Sequence, residues 1–585
     1  MRLICHRANT LLIPMGFALC LVSAASSADL SGRSVQEWIR QLGHDNAAER
    51  SLAARVLARA GADVLPHVRA TLKDRGWQLR RGSAEVLGLM GTVAAPAIPQ
   101  LVETLHDGEF GVRCAAAEAL GHVSRAPTPV QTAAPAVEAL AKALSDNHST
   151  VRQTAAWALA RIGPGAAAAL PALTRAATEG RARVRRAAVE ALGALAPASR
   201  SALPTLRTAL RDVDADVRWF AVRALAQLGA DAKEAVPDLL PLLDDHKADM
   251  LLGDYLKGTR WCIARITAHA LGTIRARPDL CIPALTAALQ DEEENVRTTV
   301  AEALVQFLPE AQRAIPDLIT MLLDAKEKDH RISAARALGL FGPAAREAAP
   351  ALTVALQDKE EEVARAAASA LGRLGPASRD VIPPLIDALT RSPAPVRREA
   401  AIALGNLGPT AKPAAAALKQ VISEERSREN DLVRAAALRA LAQIELPAAD
   451  IVPILQVALK DKHRGVRQVA AEQLAHYGQN SQAALPALRK ALSDKDDLVR
   501  RHSAEALSKM GAAAAPAIKE LTRVLDDDRD SLTRCHAARA LGGLGKAAQP
   551  AIPTLRKCTQ DRNWTLRQDA SDALARIRGQ IADPK

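Results

Sequence analysis

Val112-Arg113-Cys114-Ala115-Ala116-Ala117-Glu118-Ala119-Leu120-Gly121 returns far along the chain as Val396-Arg397-Arg398-Glu399-Ala400-Ala401-Ile402-Ala403-Leu404-Gly405. With the Arg as anchor, the signature falls at 50, 80, 113, 152, 185, 218, 297, 331, 397, 434, 467, 500, 534 and 567, and Ala264 and Ala364 occupy the two missing registers. Nine of the fifteen intervals are 33 residues. A period kept this often marks a structural repeat, so the chain reads as about sixteen similar units in one continuous body.

Each unit decodes as two helices. Pro stands nineteen residues after the anchor in eleven units, as at Pro204, Pro237, Pro316 and Pro486. Proline has no N–H to lose in a first helical turn, so it starts the first helix, A. An Asp lies six residues before the following anchor, as at Asp107, Asp146, Asp494 and Asp528. There it can accept from the free N–H groups that open the second helix, B. Helix B carries apolar residues three, four, six, seven and ten after the anchor, a wide stripe of helical period. Gly eleven after the anchor closes it in ten units, among them Gly91, Gly163, Gly229 and Gly375, because glycine enters the left-handed region at little cost. One such hairpin cannot bury its stripe alone, so neighbours must stack.

The pattern Val-Arg-x-x-Ala-Ala-x-Ala-Leu-Gly-x-Leu-Gly, with an Asp shortly before it, resembles HEAT repeats, specifically the PBS-lyase HEAT-like type, over about residues 32–580. The resemblance implies an all-α fold, a right-handed α-α superhelix of the HEAT or armadillo-like solenoid kind with about sixteen two-helix repeats. It implies that Asp and Arg form a ladder between adjacent repeats, with Asp107/Arg113 and Asp494/Arg500 as rungs and Ala264 and Ala364 as gaps. These arginines are therefore read as structural. It also implies that the B helices line the concave surface.

Composition agrees with this reading. Apolar residues make up 49% of the 585, but aromatics only 2%, whereas a thick enzyme core is usually filled with large rings. Alanine permits close helix–helix approach instead. The chain carries 77 basic and 65 acidic side chains, a formal net charge of +12. That excess suits an acidic partner without specifying nucleic acid.

Residues 1–28 read as a signal peptide, with Arg2 and Arg7 ahead of an apolar run from Leu11 to Val22 and cleavage after Ser26-Ser27-Ala28, before Asp29. The run is shorter than the roughly 20 residues a membrane span needs, and an uncleaved N-terminal anchor is the alternative. Leu19 before Cys20 does not suit a lipoprotein signal. Residues 29–585 are then an exported solenoid, periplasmic or secreted, with no further membrane span. A long insertion interrupts it at 245–260, and shorter ones fall at 122–135 and 423–430. Cys114, Cys262, Cys281, Cys535 and Cys558 are odd in number and lack metal-type spacing, so buried thiols are expected.

No His-Glu-x-x-His, Cys-x-x-Cys, Gly-x-Ser-x-Gly or phosphate-loop motif occurs, and no catalytic residue, metal or cofactor is expected. The alternative is a HEAT-like lyase or oxidoreductase. A deoxyhypusine hydroxylase-like iron site needs His-Glu pairs, and the chain contains no His-Glu dipeptide. Bilin lyases act in the cytoplasm, which the export signal disfavours. The acidic runs Asp291–Glu294 and Asp526–Asp530 read as solvated charge at helix starts rather than calcium sites.

Positions one, five and nine after the anchor share the outer side of helix B. Across the units they hold sixteen Lys or Arg and seven Asp or Glu. Trp157 and Trp219 lie on this strip, with Arg161, Arg186, Arg223 and Arg265 around them. Trp and Arg are enriched at binding hot spots and can pair through cation–π contact, so these six are the candidate partner-binding residues. The plainer reading is that each Trp fills a gap in an alanine-rich interface. The expected function is an exported, non-catalytic scaffold whose concave basic face holds a protein partner. An anionic polysaccharide is the second choice, and export disfavours nucleic acid.

Overall fold

The computed structural model describes residues 33–125, 129–246, 262–423 and 428–579. The expected signal peptide, nearly all of the 245–260 insertion and parts of the two shorter insertions lie outside them. The described residues divide into two compact units, one comprising those up to Leu239 with His246 and 262–266, the other those of 240–245 and 267 onward. Both are all-α stacks of A and B helices. B helices stand at all sixteen expected registers, from Ala47–Arg59 to Trp564–Ile577.

Leu170–Glu179 and Ala182–Ala194 form one A–B pair in the first unit, and Ile315–Asp324 and Lys328–Phe341 one in the second. Pro171 and Pro316 sit in the first turn of their A helices, where the missing N–H costs nothing. The ten glycines expected to close helix B all have positive φ, from +50° at Gly478 to +88° at Gly375. In most units such a glycine also begins a short 3-10 segment, such as Gly163–Ala169 or Gly478–Ala484, which leads into the next A helix. The Leu seven residues after the anchor is the core of every unit; Leu57, Leu159, Leu304 and Leu441 are fully buried.

A second glycine position shapes the stack. Eight residues after the anchor, Gly88, Gly121, Gly339, Gly372 and Gly542 lie against the alanine of the next B helix. A Cβ at Gly121 would stand 2.7 Å from the Ala158 Cα, and one at Gly372 would stand 2.5 Å from the Ala403 Cα. Adjacent B helices therefore pack backbone to backbone, as small residues allow.

The ladder is present, but its rungs join different residues from those expected. Arg113 does not pair with the Asp107 carboxylate; its Nη1 donates to the backbone carbonyls of Asp107, at 2.8 Å, and Gly108. Its Nε and Nη2 reach forward to Asp146 in the next repeat, at 2.8 and 3.0 Å. Asp107 accepts from Arg80 of the previous repeat, at 2.6 and 2.9 Å. Likewise Arg467 pairs with Asp494, and Arg500 with Asp528. The reason is reach: the guanidinium's inner edge is occupied by the carbonyls of its own turn, and only its outer edge faces a neighbour. Arg80, Arg113, Arg185, Arg331, Arg434, Arg467, Arg500 and Arg534 each reach such an Asp. The Asp also accepts from the N–H two residues on, as Asp494 does from Asp496 at 2.9 Å. That N–H belongs to the N-cap residue and not, as expected, to the first helical turn.

Where the pattern lapses, the contacts rearrange. Ala325 replaces the Asp that would serve Arg297, and Arg297 donates instead to the Ser333 hydroxyl at 2.9 Å. Ala364 has no guanidinium, and the Asp that would have faced it is Arg391.

The ladder ties stability to pH. Arg80 holds the Asp107 carboxyl below its ordinary range against the opposing effect of burial. At Asp146, Asp212 and Asp358 burial pushes the carboxyl up, but the paired Arg and the turn N–H outweigh it, and the net shift is down. A carboxylate whose folded value is lowered contributes stability above its unfolded value, near 4, and that contribution is lost as pH falls through the folded value. Burial also lowers His122, to about 4, and His536, so melting temperature is expected to decline gently as pH falls below about 6.5, where the unfolded imidazoles take up protons, and steeply below about pH 4. A melting curve unchanged down to pH 3 would refute this.

Candidate functional site

The six residues expected to form one binding surface separate into two environments. Trp157, in the B helix Ser149–Ile162, presents its ring to solvent at 37% exposure. Arg161 lies one turn along the same face and is exposed. Its guanidinium contacts the ring nitrogens of His122, in the preceding B helix. Burial, with Arg161 and Arg125 nearby, lowers His122 to about 4, so the imidazole is neutral at ordinary pH; the Glu118 carboxylate lies 3.9 Å from the same ring. At the register of Trp157 the repeats on either side carry Glu118 and Glu190, so the ring stands among both signs of charge.

Trp219 corrects the surface reading. It is only 6% exposed. It meets Phe220 edge to face at 5.0 Å between centroids, and the Arg223 guanidinium lies 5.9 Å from its ring. Arg186 stands 5.3 Å from the Phe220 ring and 3.3 Å from an Asp216 oxygen. Arg223 approaches Glu190 at 4.0 Å. Periodicity places Trp219 on the outer strip, but the adjacent phenyl ring and the guanidiniums cover it. Trp219 is thus buried, while the half-buried Arg186 and Arg223 brace it and Phe220 from the edge. Arg265, in Ile263–Ile274, is half-buried.

A groove of about 730 Å³ lies in the second unit, lined by residues of the B helices Glu294–Val305, Lys328–Phe341, Glu361–Leu371 and Ala394–Asn406. Its floor is small: Ala366, Ser369 and Ala370. Ser369 occupies the register that holds Trp157, Arg223 or Arg336 elsewhere, and that loss of bulk opens the groove. On its walls Arg336 pairs with Glu294 at 2.7 Å, Lys328 with Glu362 at 3.2 Å, Arg297 with Asp329 at 3.5 Å and Arg398 with Glu399 at 3.0 Å. Arg365, Arg373 and Glu302 have no ion-pair partner among the described residues. The sequence reading missed this groove; its signal was a Ser midway between two Args on the outer strip of one helix.

Burial pushes the Cys281 and Cys535 thiols up to about 12, and Cys558 is also raised by burial, which disfavours the reactive thiolate. Asp526, Asp528 and Asp530 are held by Lys557, Arg500 and Arg501, so that acidic run is engaged in ion pairs.

Known structures share the architecture. A crystal structure of importin beta aligns over 93% of this chain and 79% of that chain, with 15% identity and a TM-score of 0.59. The Kap95:Nup1 complex aligns over 94% and 82%, at 14% identity and 0.58. Yeast importin-beta (Kap95p) aligns over 93% and 80%, at 13% identity and 0.52. No curated protein matches significantly in sequence. Residues 396–424 match the PBS lyase HEAT-like repeat. HEAT repeats are matched over residues 35–121, 98–193, 180–252, 250–329, 315–405, 415–508, 451–542 and 518–585, and with the glycine-closed helix pairs and the Arg–Asp ladder already in place, the chain belongs to the HEAT repeat family.

Proposed function

We propose that the protein is an exported, non-catalytic scaffold that holds a protein partner on the outer side of its B helices, with Trp157 as the anchor in the first unit. The observation that carries this reading is the exposed Trp157 ring beside the exposed Arg161. An aromatic anchor next to a guanidinium is a composition that concentrates binding energy. Glu118 and Glu190 at the flanking registers favour a protein segment over an anionic polysaccharide, which would meet repulsion there. A solenoid of similar fold is described as the Kap95:Nup1 complex, in keeping with protein binding.

The test uses the chain with a photo-crosslinking residue at position 157, mixed with envelope proteins of the producing cell. A few discrete crosslinked species are expected, together with a mature N-terminus at Asp29. The same residue at Val354, exposed on an A helix, should give none of them. Equal crosslinking at both positions, or none at 157, rejects the assignment.

A further inference from the structure

We infer that the groove in the second unit binds an extended acidic peptide segment through two carboxylates set four residues apart. The inference is independent of the Trp157 face. It rests on which charges the groove leaves unmatched. Four of its cations are already paired on its walls. Arg365 and Arg373 are not, and both lie on the row of residues that forms the floor.

Their spacing selects the ligand. Arg373 stands two residues past the end of the helix Glu361–Leu371, where its N–H still closes a turn on the Ala370 carbonyl at 2.9 Å, so eight residues at close to the helical rise put the two backbone positions about 12 Å apart. An extended chain rises about 3.3 Å per residue, and side chains four residues apart point to the same side, about 13 Å from one another. One carboxylate for each guanidinium, in bidentate contact, fits that interval. Between them Ala366, Ser369 and Ala370 leave room for a backbone, and the Ser369 hydroxyl can donate to a carbonyl or accept from an N–H. A one-residue or two-residue spacing would leave one guanidinium unmatched.

The groove also selects against a uniform polyanion. Glu302 is exposed on the groove wall without a cationic partner, and Glu294, Glu362 and Glu399 share the rim. A polysaccharide or nucleic acid with charge at every unit would bring anions against these carboxylates. A peptide with acids only where the guanidiniums stand avoids them.

The probe is a fluorescently labelled ten-residue Ser/Ala peptide with glutamate at its third and seventh positions, titrated by anisotropy against the full chain at low salt. Saturable binding is expected, weakened at least about tenfold in the double variant Arg365→Ser with Arg373→Ser. Arg365→Glu with Arg373→Glu should lose this peptide and gain one carrying lysine at the same two positions. Trp157→Ala should bind the acidic peptide unchanged, which separates this site from the first-unit face. Circular dichroism of each variant checks the fold. The inference is overturned by any of these results: no binding; binding indifferent to the double Ser variant; equal affinity for glutamates at the third and fifth positions; or polygalacturonate bound more tightly than the peptide with the same dependence on Arg365 and Arg373, which would assign the groove to an anionic polymer.

Discussion

Asp461→Ala is expected to destabilise the second unit by about 3 kcal/mol, toward the lower end of what removing one partner of a buried ion pair costs. Arg434 is 2% exposed and Asp461 5%, the most deeply buried rung of the ladder. Asp461 receives Arg434 Nη1 at 2.6 Å and Nη2 at 3.2 Å, and the N–H of His463 at 2.8 Å. Burial works against the Arg434 charge, and Asp461 with Asp431 holds it in place. The variant leaves Asp431 in contact with the guanidinium, which limits the damage. Converting Arg434→Met together with Asp461→Leu and Asp431→Asn removes all three charges of the cluster and should recover much of the loss, since uncharged side chains of similar bulk tolerate burial. Glu103→Ala is the contrast: its partner Lys73 is 73% exposed and Glu103 is 61% exposed, so the change should stay within about 0.5 kcal/mol. Urea unfolding followed by circular dichroism reads all three. Equal costs for Asp461→Ala and Glu103→Ala would show that the ladder is decorative.

Gly372→Leu is the second large effect. A Cβ there meets the Ala403 Cα at 2.5 Å and its Cβ at 2.7 Å, and backbone cannot turn aside as a side chain can. The B helices Glu361–Leu371 and Ala394–Asn406 must separate, which should cost about 3 kcal/mol or more, the upper range for overpacking. Gly408→Ala is the control. Gly408 has φ +61° and nothing within 4 Å of the place a Cβ would take, so its cost is backbone strain alone, about 1–2 kcal/mol. Thermal melting that ranks the control as the more damaging would mean that the helices do not pack through their backbones.

The repeat was legible because its signals are local. Gly91 or Gly478 needs only its own φ to close a helix, and Pro171 only its own missing N–H. What joins repeats was less legible. Nothing in the register of Asp107 and Arg113 says that the guanidinium commits its inner edge to carbonyls and reaches past its own repeat to Asp146; that depends on how far one hairpin is offset from the next. Trp219 shows the same limit. A helical wheel supplies an angle, and only the side chains on and beside that helix decide whether the angle faces water. Trp157 and Trp219 both come from the strip, yet one is open and the other is covered by Phe220 and Arg223.

The glycine–alanine contacts between B helices have an entropic consequence. Ordering a buried Leu or Met forfeits rotamer freedom, whereas glycine and alanine have none to lose. Such a junction therefore gains little from apolar area but gives up little disorder in forming, and the chain repeats that modest bargain at many steps instead of concentrating it in one thick core. Truncation at these junctions should be mild and enlargement severe: even a Cβ at Gly121, Gly339 or Gly372 would stand within 3.0 Å of the facing alanine's Cα, so these positions are expected to hold glycine while the outer strip is free to vary with whatever it holds.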